Sequence, residues 1–169
     1  MATTASPPPL DLHAAHPLEV IPWFRRWPCN PWRDLVYTFI YNALLAVGFS
    51  LLALLWTRKY APLELLWLNF VFAQSVGYSL HLLYVILEAL IPRARRREPW
   101  ALLLFWGLLP IAGVMIGYAV AATLLGWADY RAAMFTPRGV ALMAILALAV
   151  TGIMLAMIVP RARAAQAEA

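Results

Sequence analysis

The residues with the most chemical potential sit inside one apolar stretch: Gln74, Tyr78, His81 and Glu88, spaced by four, three and seven. At 100° per helical residue they share an arc of about 80°. A polar stripe on an otherwise hydrophobic helix points at neighbouring helices rather than at hydrocarbon. Asn42 and Thr38 upstream and Tyr118 downstream are its candidate partners, while Asn69, Ser75 and Ser79 lie off the arc and can bond other neighbours. Two chemistries fit this pattern. One is a polar site that binds a small ligand or responds to protonation, with His81 titrating and Glu88 as its counter-charge. The other is interhelical hydrogen bonding that only holds the helices together, worth about 0.6 kcal/mol per contact. Glu88 lies about one turn from the end of its run and can instead turn toward water or Arg93.

Other reactive residue types are sparse. Cys29 is the single cysteine, with no disulfide partner and no metal-ligand spacing around it. His13 and His16 belong to a proline-rich lead-in, which leaves His81 as the only histidine among the apolar runs. Paired-histidine haem ligation within one chain and a zinc-like cluster are both out of reach, so no metal and no cofactor are expected. No nucleophile, base and orienting group fall into a recognisable set, and the chain reads as a non-enzyme.

The elements that position these residues are four long apolar runs, about residues 34–56, 63–91, 100–127 and 139–159. Each exceeds the roughly 20 helical residues that cross a 30 Å hydrocarbon core. Backbone groups in lipid must be satisfied within the segment, which makes each run a helix. Of the 169 residues 64% are hydrophobic and only 12% charged, about half the charge of an ordinary soluble domain. The expected fold is all-α, an integral membrane bundle of four transmembrane helices over residues 33–160. A disordered to interfacial tail (1–32) precedes it and the start of a cytoplasmic helix (161–169) follows. Pro110 predicts a kink in the third helix, residues 128–138 a polar loop, and Pro160 the end of the fourth helix.

Charge placement sets an orientation. With the N-terminus inside, nine basic residues (Arg25, Arg26, Arg33, Arg93, Arg95, Arg96, Arg97, Arg161 and Arg163) are cytoplasmic and four (Arg58, Lys59, Arg131 and Arg138) are outside. That asymmetry places both ends in the cytoplasm. Trp32, Trp56, Trp67, Trp100 and Trp127 near the run ends suit an aromatic belt. The cluster Arg93, Arg95, Arg96 and Arg97 reads as a topology determinant or as a contact for anionic lipid headgroups. The net charge of +5 therefore reflects membrane-end arginines, and a nucleic-acid partner is excluded for want of a basic face on a soluble fold.

Small residues mark helix contacts. Gly113 and Gly117 form a small-xxx-small pair, and Ala149, Gly152 and Ala156 form a second stripe. Either can serve packing within the chain or a homodimer seam. At the front, Pro7, Pro8, Pro9 and Pro17 argue against a cleaved signal sequence. The segment IPWFRRWPCNPW, residues 21–32, can lie at the bilayer surface or pack on helix ends. At the back, RARAAQAEA contains strong helix formers and reads as the first turns of an emerging helix or as a frayed tail.

PWFRRWPCNPWRDLVYTFIYNALLA, then LNFVFAQSVGYSLHLLY, then the Ala/Arg/Glu/Gln-rich exit, together resemble the N-terminal membrane region of LytS/AlgZ-type bacterial sensor histidine kinases over residues 20–169. RDLVYTFIYN is the most distinctive part. In that family a cytoplasmic dimerisation helix with a phospho-accepting histidine and an ATP-binding domain follow. This sequence stops where that helix begins, so no catalytic residue carries over. The resemblance implies a multi-pass sensor or input module of the bacterial inner membrane. Its expected partners are the lipid bilayer, a second copy of the chain, and a cytoplasmic kinase or response regulator. The rival expectations are a structural membrane scaffold or subunit and a small proton-coupled transporter.

Overall fold

The computed structural model describes residues 18, 21–28, 30–55, 60–96 and 98–167, and all regular structure among them is helical. The expectations placed on residues 1–17, Cys29, Trp56, Arg58, Lys59, Arg97 and residues 168–169 lie outside the described residues, as do the side chains of Arg25, Arg93, Arg161 and Arg163.

Helix α1 is Pro31–Leu54. The Asn30 side chain accepts from the Arg33 amide at 2.7 Å, Pro31 takes the first helical position, and Asp34 lies in the first turn. A capping asparagine before an N1 proline is a strong start signal, which is why α1 begins three residues ahead of the expected residue 34. Helix α2 is Pro62–Leu90, again opened by proline. It stops because Ile91 is extended (φ −102°, ψ 115°), as the residue before Pro92 must be.

Helix α3 spans Pro99–Leu124 and contains a π-helical turn at Leu104–Leu108. The turn is the structural form of the irregularity that Pro110 predicts. Gly126 (φ +71°) ends the helix, with the Gly126 amide on Thr123 O at 3.1 Å and the Trp127 amide on Ala122 O at 2.8 Å. This is a Schellman closure, and it needs the left-handed residue that glycine supplies. It terminates α3 at Leu124, short of residue 127.

The expected polar loop is instead largely helix α4, Ala128–Met134. Asp129 in its first turn and Arg131 in its last suit the helix dipole. Helix α5, Pro137–Ala167, then leaves at 79° to α4. Thr136 Oγ1 accepts from the Gly139 amide at 3.1 Å and Pro137 sits first in the helix. A side chain at Gly139 would stand 2.9 Å from the Met134 carbonyl carbon, so the corner is tight. Helix α5 does not end at Pro160 but continues to Ala167. One missing amide does not break it where strong helix formers follow.

Three helices, α1, α2 and α3, are long and apolar enough to cross a membrane, and α4 with α5 makes a fourth span if the bent pair counts as one. Helix α2 is central, packed along α1 on one side and α3 on the other. Gly113 and Gly117 lie in the α2–α3 contact, within the chain: a Cβ on Gly117 would meet Val76 N at 2.7 Å and Ser75 C at 2.9 Å. The second small stripe differs. Ala149 and Gly152 are exposed, and nothing lies within 4 Å of a Cβ placed on Gly152.

The described part of the N-terminal segment packs on the start of α1. Tyr37 is fully buried and its hydroxyl donates to the Phe24 carbonyl. Its ring meets Phe24 edge-on at 5.2 Å and Trp27 at 5.9 Å, with the Arg33 guanidinium 5.4 Å from the ring centre.

Candidate functional site

The stripe on α2 forms a seam with α1. Gln74 Nε2 donates to Phe39 O at 3.1 Å, and Asn42 Nδ2 reaches Gln74 Oε1 at 3.5 Å. One turn along, the Tyr78 hydroxyl donates to Leu35 O at 3.3 Å. Toward the other end, Asn69 Nδ2 donates to Ser50 Oγ at 3.1 Å and to Leu65 O at 3.0 Å. The Ser50 hydroxyl in turn donates to Ala46 O at 2.6 Å. The three rungs run along α1 from Leu35 to Ser50, about 22 Å of helix. Asn42 and Ser50 are buried. A side chain on Gly77 would overlap the Asn42 amide, so glycine there is what lets Asn42 lie flat against α2.

The seam gathers Gln74, Tyr78 and Asn42 from the sequence-predicted set, and it recruits Asn69, which lies off the 80° arc, and Ser50 of α1, which is outside that set. Asn69 lies five residues before Gln74, about 140° from it around α2, and still reaches α1 through its bond to Ser50. Thr38 does not join, because its hydroxyl bonds the Asp34 carbonyl one turn back at 2.7 Å. Tyr118 packs its ring against Phe72 at 4.9 Å, in a cluster with Trp127 and Tyr130.

His81 and Glu88 stand apart from the seam and from each other. His81 is half-buried and makes no hydrogen bond or ion pair among the described residues. Glu88 faces Arg96 instead of His81: its carboxylate lies 3.5 Å from Arg96 Nη1. The same guanidinium donates through Nη2 to the Glu88 carbonyl at 2.5 Å and through Nε to the Ile91 carbonyl at 3.0 Å. Arg96 thus caps the last turn of α2, satisfying carbonyls that the helix end leaves open. Of the expected headgroup contacts, Arg95 is exposed and Arg96 is turned inward by this cap.

A further residue escaped the sequence reading. The Tyr84 hydroxyl donates to the Phe105 carbonyl at 3.1 Å, and the two rings stack at 6.1 Å. Phe105 is in the π-turn, where the Leu109 amide bonds Leu104 O, five residues back. The next amide in that register would come from residue 110 to Phe105 O, but residue 110 is proline and has none. Tyr84 supplies the donor that Pro110 lacks, which ties α2 to α3 at the irregular turn. The signal in the sequence is Pro110, five residues after Phe105, but it does not name the tyrosine that answers it.

Among the described residues, no buried side-chain nitrogen or oxygen lacks a hydrogen-bond partner. The arrangement fixes the register and separation of α1, α2 and α3 through directed bonds, and it leaves His81, Ser75 and Ser79 outside those bonds. Compared with protein-family models, characterised proteins and solved structures, the chain matches none.

Proposed function

We propose that this chain is a membrane-embedded input module of a two-component-type signalling protein, which relays a rearrangement of its helices to a cytoplasmic helix. In this reading α1, α2, α3 and the α4–α5 pair cross the bacterial inner membrane, with both ends inside. Large apolar side chains exposed at Leu44, Leu82 and Leu124 support burial in lipid, since a soluble surface rarely carries so much contiguous apolar area.

The observation that carries the proposal is the continuity of α5. Its 31 residues make a rod of about 46 Å, longer than the roughly 30 Å hydrocarbon core. A rod that crosses the bilayer and emerges unbroken transmits rotation or translation, whereas a frayed tail transmits nothing. The α1–α2 seam and the Tyr84 bond to α3 are the contacts whose alternatives would define two states. The exposed Arg95 faces anionic headgroups in this scheme, the exposed Ala149 and Gly152 offer a dimer face, and a kinase or response regulator receives the output. The resemblance to LytS/AlgZ-type membrane regions points the same way.

The test is a distance measurement in nanodiscs. In a Cys29→Ser background, spin labels at Ala89 and Ala164 report the inner end of α2 against the emerging helix. Relay predicts that Gln74→Leu shifts the distance distribution by at least about 2 Å, the scale of helix shifts in switching proteins. An unchanged distribution overturns the relay. It would favour a structural subunit, the second reading, which the complete pairing of buried polar groups among the described residues supports.

A further inference from the structure

The outer half of α3 carries a groove of about 550 Å³ that plays no part in the seam. It is lined along one face of α3 by Ala112, Ile116, Ala119 and Thr123, with Phe135, from the turn after α4, at its end. The spacing of these α3 residues is that of a single helical face. Ala112 and Ala119 supply the depth, and the larger side chains of Met115 and Val120 stand beside them. Apart from the Thr123 hydroxyl the lining side chains are hydrocarbon or thioether, so what fills the groove is apolar.

One end of the groove has a different chemistry. Arg131 Nη1 donates to Thr123 Oγ1 at 3.3 Å, which holds the guanidinium beside the last turn of α3. Arg131 is exposed, and no carboxylate pairs with it among the described residues. Trp127 and Tyr130, in contact at 5.8 Å, belong to the same short stretch of chain and mark the depth at which aromatic residues meet headgroups. From Thr123 to Ala112 the groove follows eleven residues, about 16 Å of helix. That is about half of a 30 Å hydrocarbon core, the thickness of one leaflet.

We infer that this groove binds one phospholipid of the outer leaflet, an acyl chain lying along Ala112, Ile116 and Ala119 and its phosphate on Arg131. The occupant follows from the two ends together: an apolar channel one leaflet long, opening on a tethered guanidinium without a carboxylate partner among the described residues. Guanidinium is the group that pairs phosphate through two parallel hydrogen bonds. The 79° corner between α4 and α5 keeps Arg131 and Phe135 beside the groove. The inference rests on the membrane reading proposed above, and on nothing in the relay.

The experiment uses the full chain released from membranes into mild detergent, with phosphatidylglycerol and phosphatidylcholine of equal chain length titrated in and bound lipid counted by native mass spectrometry. Wild-type protein is expected to hold one phosphatidylglycerol more tightly than phosphatidylcholine. Arg131→Gln should reduce that preference about fivefold, the factor one basic residue supplies near an anionic surface. Ala119→Phe should fill the groove and weaken both lipids by about tenfold, and Ala112→Phe, further from the headgroup, should do the same should the first variant misfold. Leu82→Phe, an exposed position on α2, should change neither. Glycerophosphoglycerol, which has the headgroup without acyl chains, should not compete. Equal lipid retention in both groove-filling variants, or a preference that survives Arg131→Gln, overturns the inference. Recovery of the chain in the carbonate-soluble fraction would overturn the membrane reading instead, so the two failures are distinguishable.

Discussion

Gly117→Ala is the sharpest probe of how α2 and α3 meet. The new methyl carbon would sit 2.7 Å from Val76 N and 2.9 Å from Ser75 C, where ordinary contact begins at 3.4 Å. Both are backbone atoms, so no rotamer change relieves the overlap. The helices must part by roughly 1 Å, and a gap of that size forfeits up to about half of the dispersion energy along the contact. The loss should reach about 1–3 kcal/mol, the usual cost of overpacking. Gly113→Ala should cost less, because its nearest neighbours are the Leu80 side-chain tip, with the Leu80 Cα at 3.3 Å. Gly48→Ala and Gly152→Ala meet nothing within 4 Å and should be neutral or stabilise by up to about 1 kcal/mol through helix propensity. Reversible unfolding in mixed micelles, titrated with dodecyl sulfate, measures the series. A Gly117→Ala variant as stable as Gly48→Ala would refute the close approach of α2 and α3.

Three further outcomes are expected. Tyr84→Phe leaves the Phe105 carbonyl without its hydroxyl donor, costing about 1 kcal/mol and accelerating amide exchange across residues 104–109; unchanged exchange there would contradict the tie between α2 and the π-turn. Arg96→Ala should fray the last turn of α2, seen as faster exchange at Leu90 and Ile91. Arg96→Lys should not restore it, because a single ammonium cannot span two carbonyls and a carboxylate in this fork; full rescue by lysine would show that charge alone matters. A double-mutant cycle on Asn42→Ala and Gln74→Ala should return about 0.6 kcal/mol or less, given their 3.5 Å separation, and a coupling above about 2 kcal/mol would mean that something else bridges them.

Much of the helical layout was legible because its signals are local. Apolar runs set the helices, and Pro31, Pro62, Pro92 and Pro99 punctuate them. What was misread depends on competition between signals. Residues 128–138 looked like a loop because they are polar, yet a Schellman closure at Gly126 and an N-cap at Thr136 bracket about two helical turns between them. Pro160 looked like a stop because proline removes an amide, but strong helix formers on its far side carry α5 onward.

The polar stripe was legible as a stripe and illegible as a network. Periodicity says which residues of α2 share a face, and the structure has Gln74 and Tyr78 of that face bonded to α1. Periodicity is blind to which neighbour each residue meets, such as Ser50 for Asn69, and to side-chain reach, which gives Glu88 to Arg96 instead of to His81. Arg96 itself was hidden among identical neighbours, since a run of arginines gives no hint of which one folds back.

The π-turn at Leu104–Leu108 holds one residue more than an α-helical turn would. Removing a single residue from within it would leave a continuous helix with Pro99–Leu103 and Leu109–Leu124 still presenting their present sides to their neighbours. The same deletion anywhere else in α3 would swivel one half of the helix by about 100° relative to the other and turn either Ala101 or Gly117 away from its neighbours. The third helix is therefore spliced at one point where its length, but not its alignment, is adjustable.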